Sequence, residues 1–315
     1  MKNVIITGAG GLVATELSFK LLRDTDANLY LLSTHVEKIA ERYKDYPQRV
    51  NCYTLDEFSS YASAAKVKFD ICIHTAFSRS AKGCLIVESI EYQRALIALL
   101  KKLGIGIFVN ISSQSVYGKA TEPLWTEDAP LDPDYLYAMG KYFSEVVTQI
   151  MLDGSGIRWT NIRLCSVCEN ARFVRVFVQN AIEGKPIVLT APEQQCSFIE
   201  VQDVADALTA FIEKSDKIGL KPTYNLGANL VDTIKGIALK VKRVGEEQYG
   251  LSNVEIIEKS SDSNIRIGMD ASLFMDTFGW SPRRNMDDMV IEMFEMLKNV
   301  NRGGYPISFK LVYGL

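Results

Sequence analysis

The chain opens with an apolar strand that runs straight into a glycine turn and then a helix: Asn3-Val4-Ile5-Ile6-Thr7, Gly8-Ala9-Gly10-Gly11, Leu12-Val13-Ala14. This unit constrains the fold more than any other feature, because it recurs. Further apolar runs at Asn28–Leu32, Val50–Tyr53, Asp70–Thr75, Gly106–Ser112 and Arg158–Leu164 read as strands. Between them, Leu12–Arg23, Val36–Lys44, Ile86–Leu103 and Tyr135–Met151 carry the helical period. Apolar strands alternating with helices need cover on both faces, which a doubly wound parallel sheet provides. Ligands in such sheets bind beyond the carboxyl ends of the strands.

The second half is less regular. Val174–Glu183, Val201–Lys214, Asp232–Tyr249, Asp270–Phe278 and Asn285–Asn299 read as helices, with short strands at Pro186–Leu189 and Tyr224–Gly227. Beyond Asn301 a tail with the turn residues Gly303-Gly304-Tyr305-Pro306 is expected. The expected class is α/β: a Rossmann-type doubly wound parallel sheet in residues 1–165, and a smaller mixed α/β region in residues 166–315, partly interleaved with the first.

A core of this kind is within reach of 315 residues with 47% hydrophobic content. The net charge of -3 comes without any clustered basic excess, which excludes a nucleic-acid surface. No apolar run reaches the length of a membrane span. The N-terminus has no cleavable-signal character, so a cytoplasmic location is expected. Cys52, Cys72, Cys84, Cys165, Cys168 and Cys196 then read as reduced thiols in apolar surroundings. Cys165 and Cys168 form a CxxC without a second pair, and His35 and His74 are the only histidines, so no metal site is expected.

The opening turn suits a dinucleotide. It is not GxGxxG, but small residues recur at Gly8, Gly11 and Ala14. Gly8 allows the tight turn, Gly11 lets backbone approach a pyrophosphate seated on the helix N-terminus, and Ala14 keeps the helix close to the sheet. Gly10, Leu12 and Val13 complete the expected phosphate cradle. The second strand ends at Ser33, where an NAD site usually has an acidic residue for the ribose hydroxyls. Ser33 and Thr34, with His35 and Lys38 nearby, suit a 2′-phosphate, although no arginine is there to clamp it. This favours NADP over NAD.

The run Ile111-Ser112-Ser113-Gln114-Ser115-Val116-Tyr117-Gly118 places serine hydroxyls at a strand end, and Tyr137 and Lys141 follow four residues apart on one helix face. A phenol beside an ammonium, with a hydroxyl opposite, moves a proton to or from a carbonyl oxygen. Beside a dinucleotide turn, this means redox chemistry on an alcohol or a ketone.

These stretches, with Asp70-Ile71-Cys72-Ile73-His74-Thr75-Ala76, Cys196-Ser197-Phe198-Ile199-Glu200-Val201-Gln202-Asp203, Tyr224-Asn225-Leu226-Gly227 and Phe278-Gly279-Trp280-Ser281-Pro282, resemble the extended short-chain dehydrogenase/reductase family. The likeness is to its NAD-dependent epimerase/dehydratase group, which acts on nucleotide sugars. It implies that Tyr137 is the acid/base, that Lys141 binds the nicotinamide ribose and lowers the tyrosine pKa, and that Ser113 steadies the sugar oxygen. It also places Thr75, Ala76 and Phe77 against the cofactor, and a nucleoside-diphosphate sugar as the small-molecule substrate, with a part in polysaccharide biosynthesis.

The chain departs from the family pattern in places. Dehydratases carry an Asp-Glu pair where Gln114 and Ser115 stand, which argues against 4,6-dehydration. Cys196 replaces the usual arginine before the Phe-Ile-x-Val run, Ser166 an asparagine, Lys259 a further arginine, and Ser89 an asparagine of the fourth helix. Arg172, Arg175 or Arg266 either substitute at the diphosphate or are solvated charges. Arg79 either borders the nicotinamide or faces solvent, and Trp280 reads as a packing anchor. The expected function is a 4-keto reductase or 4-epimerase of a nucleotide sugar. The alternatives are a reductase or dehydrogenase of a non-sugar carbonyl or alcohol, and a non-catalytic dinucleotide-binding protein. Relatives pair through the helices at Ile86–Leu103 and Tyr135–Met151, so a homodimer is expected; Leu96, Leu99, Leu100 and Val147 either supply its contact or face only the sheet.

Overall fold

The computed structural model describes residues 1–79, 82–119, 124–259 and 266–298, with the side chain of Asn170 excepted. Ser80, Asn299 and the expected tail beyond Asn301 lie outside the described residues. The chain runs β1 (Asn3–Thr7), α1 (Leu12–Asp24), β2 (Asn28–Leu32), α2 (Val36–Arg42), β3 (Val50–Tyr53), α3 (Leu55–Ala64), β4 (Ile71–His74), α4 (Gly83–Leu103), β5 (Ile107–Ser113), α5 (Leu136–Leu152) and β6 (Arg158–Leu164). It continues through β7 (Ser166–Val167), α6 (Arg172–Ile182), β8 (Ile187–Leu189), β9 (Gln195–Ile199), α7 (Val201–Lys214), β10 (Thr223–Leu226), β11 (Val231–Thr233), α8 (Ile234–Tyr249), β12 (Ile256–Glu258), α9 (Ser272–Phe278) and α10 (Met286–Lys298).

Seven strands form one sheet in the order β10-β6-β5-β4-β1-β2-β3. The pairings of β1 with β2 and β4, of β2 with β3 and of β4 with β5 are parallel. The expected Rossmann-type architecture is therefore present. Strand order reverses between β1 and β4, which opens a crevice at their carboxyl ends. Thr7 registers with Leu32 on one side and His74 on the other, so three strand ends arrive level. Side chains alternate between the two faces, and Ile5, Tyr30, Cys72 and Phe108 lie in one core cluster with Leu96, Ile97 and Leu100 of α4. Leu96 and Leu100 are thus core residues, with Leu99 and Val147 partly buried against them.

α3 was not among the expected helices. A capping box starts it: Glu57 N–H donates to Thr54 Oγ1 at 3.2 Å, and Thr54 N–H donates to Glu57 Oε2 at 2.8 Å. Its apolar positions, Phe58 and Ala62, then enter the core. Of the thiols, Cys72, Cys165, Cys168 and Cys196 are buried as expected, whereas Cys84 is exposed.

The chain divides into two compact units. The first holds Met1–Gly118, Leu131–Arg163 and Ala205–Tyr224; the second holds the remaining described residues. Within the second, β9 pairs antiparallel with β11 and parallel with β7, and β12 pairs parallel with β8. β7, β9, β11 and β12 were not expected from the sequence; β7, β11 and β12 have three residues or fewer, and β9 mixes polar with apolar positions. Helices α6, α8 and α10 pack on one another and bury Phe177, Val178, Val241, Val244, Met293 and Phe294. No helix among the described residues is long and apolar enough to cross a membrane.

Candidate active site

The glycine turn is shaped by close approach. Gly8 has φ +65°, and a Cβ there would stand 2.9 Å from the Ala76 backbone. Only glycine fits such a left-handed position against backbone. Gly11 N–H donates to Gly8 O at 2.8 Å, closing the turn. Gly11 then caps α1 without any side-chain cap, so the first-turn N–H groups near Leu12 and Val13 have no capping side chain. A Cβ at Gly10 would meet only Ile39, at 3.8 Å, so that side of the turn is open. Thr75 Oγ1 donates to Thr7 O at 2.7 Å, and Ala76 N–H donates to Thr7 Oγ1 at 3.3 Å. These bonds lock the end of β4 to the end of β1. The cradle fits a pyrophosphate by its backbone donors and its lack of side chains.

At the end of β2, the Ser33 hydroxyl accepts from His35 N–H at 3.0 Å. Thr34 and Lys38 are exposed. Arg42, at the end of α2, is turned towards α1 and donates to Thr15 Oγ1 at 2.6 Å.

Ser113 ends β5 and caps the following 3-10 turn, accepting from Ser115 N–H at 3.2 Å and lying 3.0 Å from the Ser115 hydroxyl. Tyr137 is the second residue of α5 and Lys141 lies one turn on. The Ser113 side chain hydrogen-bonds the Tyr137 phenol. Phe77, in the loop after β4, sets its ring edge-on to Tyr137 at 6.0 Å between centroids and lies 4.3 Å under the Lys141 ammonium. Lys141 Nζ donates to Ile111 O at 2.7 Å. Helix α5 comes this close because residue 140 is glycine: a Cβ there would sit 2.5 Å from Ile86 Cγ2 and 3.0 Å from Phe77. The structure thus brings Ser113, Ser115, Phe77, Tyr137 and Lys141 together.

Burial raises the Tyr137 phenol above its ordinary value, against the opposing pull of the Arg79 charge and the Ser113 hydrogen bond. Burial pushes the Lys141 ammonium down to about 7; Glu145 opposes this and Arg79 adds to it. Arg79 is exposed, yet its charge reaches both groups. His74 is buried and held neutral by burial and the nearby Lys141, with its Nδ1 2.8 Å from Thr7 Oγ1.

A buried network stands behind Lys141. Glu145 Oε1 accepts from Ser112 Oγ at 2.5 Å, and Arg163 donates to the same carboxylate from Nε at 3.0 Å and Nη2 at 2.8 Å. Arg163 Nη1 also donates to Tyr117 Oη at 2.9 Å. Neither Glu145 nor Arg163 was singled out from the sequence. A signal was present: an arginine inside the apolar strand Ile162-Arg163-Leu164 demands a buried acidic partner, and Glu145 shares the α5 face of Lys141.

The remaining expected substrate-side residues fall in the second unit. Ser166 of β7 registers with Phe198, and Cys196 of β9 with Asp232. Arg266 bridges Gln195 at the edge of the same small sheet. Arg172 is the exposed first residue of α6, Arg175 is half-buried, and Lys259 is exposed just after β12. Cys196, Ser166 and Arg266 share one sheet; Arg172, Arg175 and Lys259 do not join it. Trp280 packs edge-on against Phe274 at 5.8 Å, as an anchor does. The same unit holds Glu169, Glu200 and Glu292 with oxygens within 4.8 Å of one another. Arg284 faces Glu200 and Glu292 at 3.4 Å each. Burial and the adjacent Glu169 hold the Glu200 carboxyl far above the usual range.

The sheet, with the glycine turn at its switch point, is a Rossmann-type fold of the kind that binds dinucleotides. Residues 4–227 match the NAD dependent epimerase/dehydratase family, and the chain belongs to it. It is 20% identical over 303 residues to the low-salt glycan biosynthesis protein Agl12 of Haloferax volcanii, covering 91% of this chain and 95% of that protein. Its fold is that of the UDP-N-acetylglucosamine 4-epimerase of Bacillus cereus, with TM-score 0.78, 18% identity and coverage of 98% and 99% of the two chains. It equally matches the dTDP-glucose 4,6-dehydratase of Bacillus anthracis solved in complex with NAD, with TM-score 0.78, 16% identity and coverage of 96% and 98%.

Proposed function

We propose that this protein is an NAD(P)-dependent oxidoreductase of a nucleoside-diphosphate sugar, acting as a 4-keto reductase or 4-epimerase in the cytoplasm. The observation that carries the reading is the Ser113 hydrogen bond to the Tyr137 phenol, with Lys141 one helical turn away, at the strand end beside the glycine turn. Gly8, Gly10, Gly11, Leu12 and Val13 would hold the pyrophosphate, and Lys141 the nicotinamide ribose. The bound dinucleotide supplies hydride chemistry at the carbon bearing the reacting oxygen. Tyr137 gives or takes the proton at that oxygen, Ser113 donates to it as charge develops, and Phe77 walls the pair from water. The raised phenol holds its proton at neutral pH, which supports the reductive direction. Gln114 and Ser115 supply no carboxylate for dehydration. Agl12's name and the two solved relatives' sugar-nucleotide substrates support this substrate class.

Absorbance of the purified protein at the dinucleotide band tests the cofactor mode. An epimerase retains its dinucleotide and turns over without addition; a reductase consumes added NADPH or NADH, with NADPH preferred on the strength of Ser33. Titration with UDP, dTDP, CDP and GDP tests the substrate head. Failure of all four to bind sinks the sugar reading and leaves a reductase of a non-sugar carbonyl, a reading favoured by Cys196, Ser166 and Lys259 standing where the family carries an arginine, an asparagine and a second arginine. A homodimer is part of the proposal. Met139, Phe143 and Ile150, exposed to 43%, 61% and 74%, form an apolar stripe along α5 that a second copy would cover. A monomer by light scattering at micromolar concentration rejects that pairing.

A further inference from the structure

We propose that Glu145, paired with Arg163, is a positioning residue for the Ser-Tyr-Lys site: it anchors the strand that ends in Ser113 to the helix that carries Tyr137, and its charge favours the ammonium form of Lys141. This rests on the dinucleotide-dependent reading above. The pair is deeply buried, each side chain about 6% exposed, and spans four segments. Glu145 lies on α5, Arg163 on β6, Ser112 on β5 and Tyr117 on the turn that follows it. Ser112 precedes Ser113, so the 2.5 Å bond to Glu145 fixes the strand residue next to the reacting hydroxyl. Glu145 follows Lys141 by one turn, so the same carboxylate fixes the helix.

A purely structural tie would not need a charge here. A second set of neutral bonds already joins α5, β5 and β6, and ties α5 to α4. Ser144 Oγ donates to Asn110 Oδ1 at 2.9 Å, Asn110 Nδ2 to Asn161 Oδ1 at 2.9 Å, and Gln93 Nε2 to Thr148 Oγ1 at 2.8 Å. What Glu145 adds is negative charge beside an ammonium whose direct partners among the described residues are a carbonyl, Ile111 O, and the aromatic rings of Phe77 and Tyr137. The other groups facing Lys141 give it no opposite charge. His74 on β4 is neutral, Tyr137 on α5 keeps its proton, and Arg79 after β4 repels. Arg163 donates to the Glu145 carboxylate and, through Nη1, to the Tyr117 hydroxyl, which holds the guanidinium in place. Arg163 thereby supplies the opposite charge that a buried carboxylate needs.

The test is an NMR titration of [13C]lysine-labelled protein, with the Lys141 signal assigned by its loss in Lys141→Met. The proteins are wild type, Glu145→Gln, Glu145→Asp and the double variant Glu145→Met/Arg163→Met, whose apolar pair fills the buried space without an orphaned charge. The expected result is a Lys141 midpoint that falls by roughly one pH unit or more in both neutral variants and stays near wild type in Glu145→Asp. A folded neutral variant in which Lys141 titrates as in wild type overturns the assignment. So does a set in which Glu145→Asp folds and no neutral variant does, because the pair is then a folding element only. NAD(H) binding by wild type is measured in parallel. Its absence refutes the dinucleotide reading whatever Lys141 does, so the two failures are separable.

Discussion

Replacing Lys141 with methionine should stabilise the dinucleotide-free protein while destroying its activity. The ammonium is nearly fully buried, and its pKa is pushed from the ordinary 10.5 to about 7. At about 1.4 kcal/mol per pH unit, holding the charged form in the fold costs on the order of 5 kcal/mol below pH 7. Methionine fills similar volume and carries no charge. It forfeits the bond to Ile111 O and the contact with the Phe77 face, together roughly 2–3 kcal/mol. The expected net gain is therefore about 2–3 kcal/mol at pH 6. The sign follows from proton counting. Between pH 7 and 10.5 the unfolded lysine binds a proton that the folded one has released, so wild-type stability rises with pH across that window. The advantage of Lys141→Met must shrink over the same window and reverse near pH 10, where only the lost contacts remain. Urea unfolding of both proteins, stripped of dinucleotide and followed by circular dichroism from pH 6 to 10, measures it. A difference that is flat with pH, or that grows towards pH 10, refutes the electrostatic reasoning.

Three further outcomes are expected. Tyr137→Phe should lower turnover by at least ~100-fold while dinucleotide affinity, measured by fluorescence titration, stays within a few-fold, because the phenol acts on the proton and the turn holds the cofactor. Gly140→Val should lower stability by about 2–4 kcal/mol in a thermal melt, since even a Cβ at that position meets Ile86 at 2.5 Å; a neutral result would mean that α4 and α5 separate easily. Glu200→Gln should stabilise the protein by roughly 1–3 kcal/mol at pH 8 and by less at pH 5, because a carboxyl whose folded pKa is raised loses stability as pH climbs above its unfolded value; an advantage larger at pH 5 contradicts that.

The repeated strand–turn–helix pattern was legible because β1, β2, β4 and β5 carry apolar runs and burial on both faces demands them. The Ser113, Tyr137 and Lys141 set was legible because two of its members share a helix face and the third ends a strand. What escaped was held by other forces. α3 is declared by the Thr54 to Glu57 capping box more than by its sparse apolar positions. β9 and β11 are short strands that exist through pairing with each other, information absent from either segment alone. Leu96 and Leu100 looked available for a partner because α4 is apolar around much of its circumference, and only packing shows which side meets the sheet. Glu145 and Arg163 are ordinary charges in a composition count; their weight comes from being buried together.

The return of residues 205–224 to the first unit, bringing half of β10 to the far edge beyond β6, has a practical consequence for protein engineering. No single crossover point divides this chain into exchangeable halves. A fragment cut after Cys165 would leave the bare backbone of β6 as an adhesive rim, prone to recruit strands from its neighbours. Chimaeras meant to swap specificity should therefore graft the inserted stretches as cassettes and leave the last strand of the sheet with its parent.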